Sequence, residues 1–170
     1  PTMDVFSVAE DQDGEVWVGT GKGIAVFYNP DAIFSDENFD CQQILIEQDG
    51  NVQILLETEV VSAITVDGGD RKWLGTQSSG VFLVSPDGTT QLEHFTKENS
   101  PMPSNNVTSI TINGNTGEVF IGTDQGIVSY RGEATDGAKE ADCATVFPNP
   151  VRGTYQGPVA ITGLIADSDV

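Results

Sequence analysis

Two acidic clusters, Asp11-Gln12-Asp13-Gly14 and Asp67-Gly68-Gly69-Asp70, are the first groups in this sequence whose spacing could do chemistry, because closely set carboxylates bind calcium. A calcium loop needs about six to eight oxygen ligands and a closing bidentate Glu, and neither cluster supplies them. Asx turns, in which an aspartate bonds its own backbone two residues on, explain both equally well. The single histidine, His94, stands beside Phe95 in a strand-like run. A general base needs a nucleophile and an orienting carboxylate around it, and no such constellation surrounds His94, so it reads as a surface strand residue. Cys41 and Cys143 lack metal-ligand spacing, and whether they pair stays open. Acids abound, yet no pair is marked for glycoside hydrolysis, so a polysaccharide lyase or glycosidase ranks last. The expectation is a protein that is not an enzyme, with no catalytic residue, no metal and no cofactor.

The charge narrows the partners. Seven basic residues against 26 acidic ones give a formal net charge of −19 over 170 residues. Such a surface repels phosphate backbones, which argues against nucleic acid. Hydrophobic residues make up 38%, a folded composition. No run of 18 apolar residues is present to cross a membrane as a helix. The chain opens at Pro1 without a signal-peptide pattern and closes at Val170 in mid-pattern, so it reads as part of a longer exported protein.

A repeat positions everything else. The first copy runs Val5-Phe6-Ser7-Val8, then Asp11 to Gly14, then Trp17-Val18-Gly19-Thr20, then Gly23 to Phe27. The second runs Val61-Ser62-Ala63-Ile64, Asp67, Trp73-Leu74-Gly75-Thr76, and Gly80 to Val84. The third runs Val107-Thr108-Ser109-Ile110, Asn113-Gly114, Phe120-Ile121-Gly122-Thr123, and Gly126 to Tyr130. The anchor glycines step by 56 and then 47 residues, which places an insertion in Tyr28 to Asp40. Asp-Gly and Asn-Gly pairs predict tight hairpins. Gln91 to Thr96 and Gln43 to Ile46 read as fourth strands.

Four short antiparallel strands at this period predict β-propeller blades. The fold class is therefore all-β, the last three or so blades of a propeller over residues 1–142, with repeats at about 4–47, 48–98 and 99–131 and a closing segment at 132–142. Residues 143–170 read as the opening of a β-sandwich, with strands at Cys143 to Phe147 and Pro158 to Leu164. A blade cannot cover both its faces alone, so the face before Val5 is expected to be apolar and unsatisfied, with upstream blades of the same protein missing. Trp17 and Trp73, at equivalent positions, are core rather than sugar-stacking platforms.

The turns between second and third strands gather at one mouth of a propeller. Gly21, Lys22, Gln77, Ser78, Ser79, Asp124 and Gln125 are accordingly the candidate ligand or partner residues, with ordinary solvated turns as the plainer reading. The loop Lys97 to Asn106, with Met102 expected at its surface, reads mainly as a crossover between blades. Asn106-Val107-Thr108 matches a glycosylation sequon.

The repeat resembles the two-component regulator propeller repeat over about residues 4–131, with Phe120 and Asn113 departing from the Trp and Asp of the other copies. The segment Val146-Phe147-Pro148-Asn149-Pro150-Val151-Arg152, with Gly157 to Leu164, is similar to the start of the C-terminal β-sandwich of type IX secretion proteins of Bacteroidetes. Together they resemble a surface subunit of that secretion system. The resemblance implies a non-catalytic component at the outer membrane or cell surface, or in the periplasm. It would work with other secretion-complex proteins and handle cargo or anionic lipopolysaccharide. The alternative is the periplasmic oligosaccharide-sensing propeller of a hybrid two-component regulator, which carries the same repeats.

Overall fold

A computed structural model describes residues 4–35, 39–48, 51–136, 145–147, 154 and 160–162. The chain divides into two compact units, Pro1–Thr135 and Asp136–Val170. In the first, β1 (Val5–Glu10), β2 (Val16–Thr20) and β3 (Gly23–Phe27) form one antiparallel sheet. The strands β6 (Val61–Val66), β7 (Lys72–Thr76), β8 (Val81–Val84) and β9 (Gln91–Phe95) form the second. The third holds β10 (Val107–Asn113), β11 (Glu118–Thr123) and β12 (Gly126–Arg131). These are the three blades, and the chain is all-β as expected. Strand β6 lies between β1 and β10, so the first strands stack from blade to blade.

The repeat is kept down to its irregularities. Each first strand slips register by a bulge just after its leading valine: between Val5 and Ser7, Val61 and Ala63, Val107 and Ser109. After the bulge, Gly19 pairs with Ser7, Gly75 with Ala63, and Gly122 with Ser109. These glycines are where the next blade arrives. A Cβ built on Gly75 would stand 2.6 Å from Val107 Cγ1, and one on Gly19 would stand 2.6 Å from the Val61 carbonyl oxygen. Only a residue without a Cβ lets two blades approach this closely.

Alternation of side chains then sorts each blade into two faces. Trp17, Val26 and Ile24 leave the trailing face of the first blade and pack against Ile64, Leu74 and Val84 of the second. Ala63, Trp73 and Leu83 on the trailing face of the second pack against Val107, Val119 and Ile121 of the third. Removing side chains of this size from water contributes about 1.5–3 kcal/mol each, so the blade junctions are the core. The outermost faces keep the pattern without the partner. Val61 and Ile64 are 0% and 9% exposed, whereas their counterparts Val5 and Val8 are 56% and 60% exposed. Ile127 is 72% exposed where its counterpart Val81 is buried. The apolar face expected before Val5 is present.

Four expectations change in detail. The hairpins between first and second strands are not two-residue Asp-Gly or Asn-Gly turns. Positive φ falls on Gly14 (80°), Asp70 (57°) and Gly117 (67°), each near the end of a longer loop capped by the leading Asp or Asn. In the first blade the fourth strand is reduced to a bridge, Gln42 to Val26. The chain then leaves to form an added hairpin of β4 (Leu45–Gln48) and β5 (Asn51–Ile54), with a 3-10 turn at Pro30–Phe34 before it. Among the described residues the third blade has three strands rather than four. Met102 is buried, 5% exposed, and not at the surface, because the Lys97 to Asn106 crossover tucks it into the second junction beside Trp73 and Val107.

The second unit shows β13 (Thr145–Phe147) paired antiparallel with β14 (Ala160–Thr162), in the two stretches expected to be strands. Cys143, the Pro148-Asn149-Pro150 segment and most of the 143–170 region lie outside the described residues. Cys41 is an exposed free thiol.

Candidate functional site

The candidate mouth residues occupy the same turn in all three blades. The hydroxyl of the repeated Thr closes each turn. Thr20 Oγ1 donates to the Gly23 carbonyl (3.0 Å), Thr76 Oγ1 to Gly80 (2.9 Å) and Thr123 Oγ1 to Gly126 (2.9 Å). The same oxygens accept from the N–H groups of Lys22, Ser79 and Gln125. Gly23 and Gly80 both take φ of 79° at the exit. The Thr anchors are therefore turn staples, and Trp17 and Trp73 are junction residues.

These turns are stitched along one end of the blade stack. The N–H groups of Gly21, Gln77 and Asp124 donate to the carbonyls of Asp4, Val60 and Asn106, the residues leading into each first strand. Gly23 and Gly80 donate to Glu59 and Asn105 of the following blade's lead-in, at 2.9 and 3.1 Å. Glu59 and Asn105 each sit two residues ahead of a first-strand valine, so a constant offset from the repeat anchor could have identified them.

The second turn carries the most developed chemistry. The Glu59 carboxylate accepts from both Ser78 Oγ and Ser79 Oγ, each at 2.7 Å. His94 Nε2 lies 2.7 Å from the Ser79 carbonyl oxygen, so it donates there, and its ring stacks on Phe82 at 3.9 Å. A groove of about 420 Å³ opens beside this group, lined by Ile46, Leu56, Glu57, Glu59, Phe82 and His94 among others. His94 is thus a half-buried tie between the outer strand and the mouth turn rather than a plain surface residue. Gln77, Ser78, Lys22, Asp124 and Gln125 are at least partly open to solvent at this end. Gly21 and Ser79 are half-buried.

Lys22 is the one basic residue in the candidate turns, the third of which carries Asp124, and Glu59 is bonded to the second. Elsewhere Arg71 is held by Asp67 at 2.8 Å and Lys72 is buried between Asp11 and Asp70. Both suspected calcium clusters are accounted for by these bonds. Asp11 accepts from the backbone of Asp13 and Glu15 and from Trp17 Nε1, and Asp67 from Gly69, Arg71 and Trp73 Nε1. Burial pushes the Asp11 carboxyl up, but the Lys72 ammonium and these donors outweigh it and hold its pKa below the usual value. Burial and the Asp11 charge push Glu15 up. Among the described residues no group of three or more His, Cys, Asp and Glu side chains could hold a metal ion. A second hollow, about 560 Å³, is lined by Val5, Val18, Ala25 and Phe27. It lies on the exposed leading face of the first blade, with Thr20, Lys22, Cys41 and Gln43 also at its wall.

The family model described as "Two component regulator propeller" matches residues 1–22. No curated protein matches the chain. Among solved structures the chain is similar to PorZ of Porphyromonas gingivalis, described as an essential bacterial surface component of the type IX secretion system. Identity is 34% over 95% of this chain and 22% of that one, with a TM-score of 0.74. It is also similar to the extracellular domain assigned to a hybrid two component system of B. thetaiotaomicron. There identity is 26% over 75% of this chain and 16% of that one, with a TM-score of 0.57. The chain thus spans about a fifth of each protein's length.

Proposed function

We propose that this chain, built of two-component regulator propeller repeats, is the propeller module of a non-catalytic outer-surface component of a type IX secretion system. The observation that carries this reading is the 34% identity to PorZ over 95% of the chain, which spans the blades and the residues after them alike. The site chemistry agrees with a scaffold. Its serine hydroxyls are tied to the Glu59 carboxylate and His94 to the Ser79 carbonyl, bonds that hold the turn together. With a net charge of −19, this module meets a basic protein surface more readily than an anionic lipopolysaccharide. Glycolipid contact would then belong to other parts of the parent protein, and cargo or neighbouring secretion proteins to this one.

A second reading is favoured by the 26% identity to the sensor ectodomain. There the acidic mouth would receive an oligosaccharide, with hydroxyl groups bonding to Gln77, Glu57 and Glu59. A photo-crosslinking amino acid at Gln77, in the parent protein on intact cells, separates the two. Crosslinks to outer-membrane secretion proteins or secreted cargo support the scaffold. A periplasmic sensor would give no product with them, and glycan binding lost on Gln77→Ala would replace the first reading with the second.

A further inference from the structure

We propose that the groove between the added hairpin and the second blade takes an arginine side chain of a partner protein, seated on the Phe82 and His94 rings and paired with Glu57 and Glu59. That the partner is a protein rests on the scaffold reading above. The groove belongs to a junction that is complete within the chain. The strands β4 and β5 and the Leu55 to Glu59 turn form one side of it, and β8 and β9 form the other. The connection from the second blade to the third, Lys97 to Asn106, forms no such hairpin, so the groove occurs at the first junction alone. Its volume of about 420 Å³ falls within the range of ligand sites, roughly 300–1,000 Å³.

Each part of the groove matches one part of that side chain. Ile46, Ile54 and Leu56 make an apolar side, suited to a methylene stem. Phe82 and His94 lie ring on ring, 12° from parallel, and both line the groove. A planar guanidinium stacks on aromatic rings and pairs with a carboxylate through two parallel bonds, which a compact ammonium does not. Glu57 is exposed at the rim, and Glu59 is half-buried with its oxygens bonded to Ser78 and Ser79. A carboxylate oxygen has two lone pairs, so Glu59 keeps acceptor capacity beside those bonds. No lysine or arginine among the described residues lines the groove to neutralise the two acids. Leu56 adds a sign of its own. Its φ of 55° suits glycine and is rare for leucine. Glycine would relieve the strain but carry no apolar wall, whereas the half-buried Leu56 side chain packs on the first core cluster and lines the groove. Strain is thus accepted where it supplies the surface that meets the stem.

His94 is the only histidine, so its ring signals in an NMR spectrum of the whole chain report on the groove without ambiguity. The probes are N-acetyl-leucyl-arginine amide and the same dipeptide with citrulline, the uncharged isostere of arginine. The arginine probe should shift the His94 signals saturably, and the citrulline probe should bind at least about tenfold more weakly. Glu57→Gln alters an exposed side chain and should weaken the arginine probe about two- to fivefold, and adding Glu59→Gln should bring the loss to roughly tenfold. Melting curves establish that both variants fold, and Glu57→Gln alone decides if the double variant does not. Asp13→Asn with Asp31→Asn removes two exposed charges outside the groove and should leave binding unchanged. No shift, an equal shift with citrulline, or an equal loss from the two aspartate changes would overturn the proposal. Maltotriose shifting His94 in place of the arginine probe would overturn it in favour of a sugar groove. A groove that binds neither probe while removal of the blades still blocks secretion strikes the groove alone. Arginine bound in the groove while that removal leaves secretion intact keeps the groove and strikes the scaffold reading.

Discussion

Lys72 of the second blade reaches the Asp11 carboxylate of the first at 3.0 Å, and both side chains are 1% exposed. The ammonium also lies 4.8 Å from the centre of the Trp17 ring, bonds Asp70 at 2.9 Å and donates to the Pro86 carbonyl at 2.6 Å. Two blades are thus joined at their centre by apolar packing and at one end by a buried ion group. Burying such charges is costly, and removing only one partner leaves the other stranded.

Lys72→Met should therefore destabilise the chain by about 3–5 kcal/mol. Adding Asp11→Asn should cost less than the sum of the two single changes, by roughly 1–3 kcal/mol. Urea titration of the four proteins, with unchanged slopes, checks both numbers. Additive costs would mean that the two groups do not stabilise each other.

The same pair sets an acid limit. The folded pKa of Asp11 is lowered, so its stabilisation is present above the unfolded value of about 3.9 and is lost as pH falls through the folded one. Asp87, held down by the Ser85 and Thr89 hydroxyls, adds in the same direction. Glu15 is raised, so its charge works against the fold at neutral pH and this opposition fades as pH falls through its folded value. Thermal melts from pH 7 to 3 should show Glu15→Gln more stable than wild type at pH 7, with the gap closing as pH falls through the raised folded value of Glu15. Asp11→Asn should flatten the loss at the acid end.

Gly75→Val tests the close approach of blades. Its added carbon meets Val107, and the overpacking should cost about 1–3 kcal/mol or more. Val107→Ala makes room and should recover part of that loss in the double variant, measured by denaturant midpoint. Gly122→Val, at the open face, should cost less than Gly75→Val.

Met102→Ala should cost about 2–5 kcal/mol, the penalty of an emptied core site. A surface loop residue would cost almost nothing, so one melting curve distinguishes the two positions.

What could be read in the sequence was what recurs. Trp17, Gly19 and Thr20 with their two sets of counterparts marked the blades. The Asp-to-Trp spacing of six, Asp11 to Trp17 and Asp67 to Trp73, was visible, but its meaning was not. The carboxylate receives the indole N–H in both blades, and the third blade loses both ends together, with Asn113 and Phe120. Lys72 looked like any lysine beside an arginine, because its burial depends on Asp11, 61 residues earlier. Met102 looked exposed because prolines and polar residues flank it, while the crossover turns it inward. At the mouth, the turns were foreseen but Glu59 and His94 were not, since their roles depend on which strands meet there.

The central claim is that the parent protein serves secretion at the cell surface, and deletion of these blades from the chromosomal gene tests it most directly. Residues 1–135 would be removed in frame and secreted cargo quantified in medium, periplasm and surface fractions. The account predicts cargo retained in the cell, at normal outer-membrane integrity. Unchanged secretion together with a lost transcriptional response to an oligosaccharide would contradict it and make the chain a sensor.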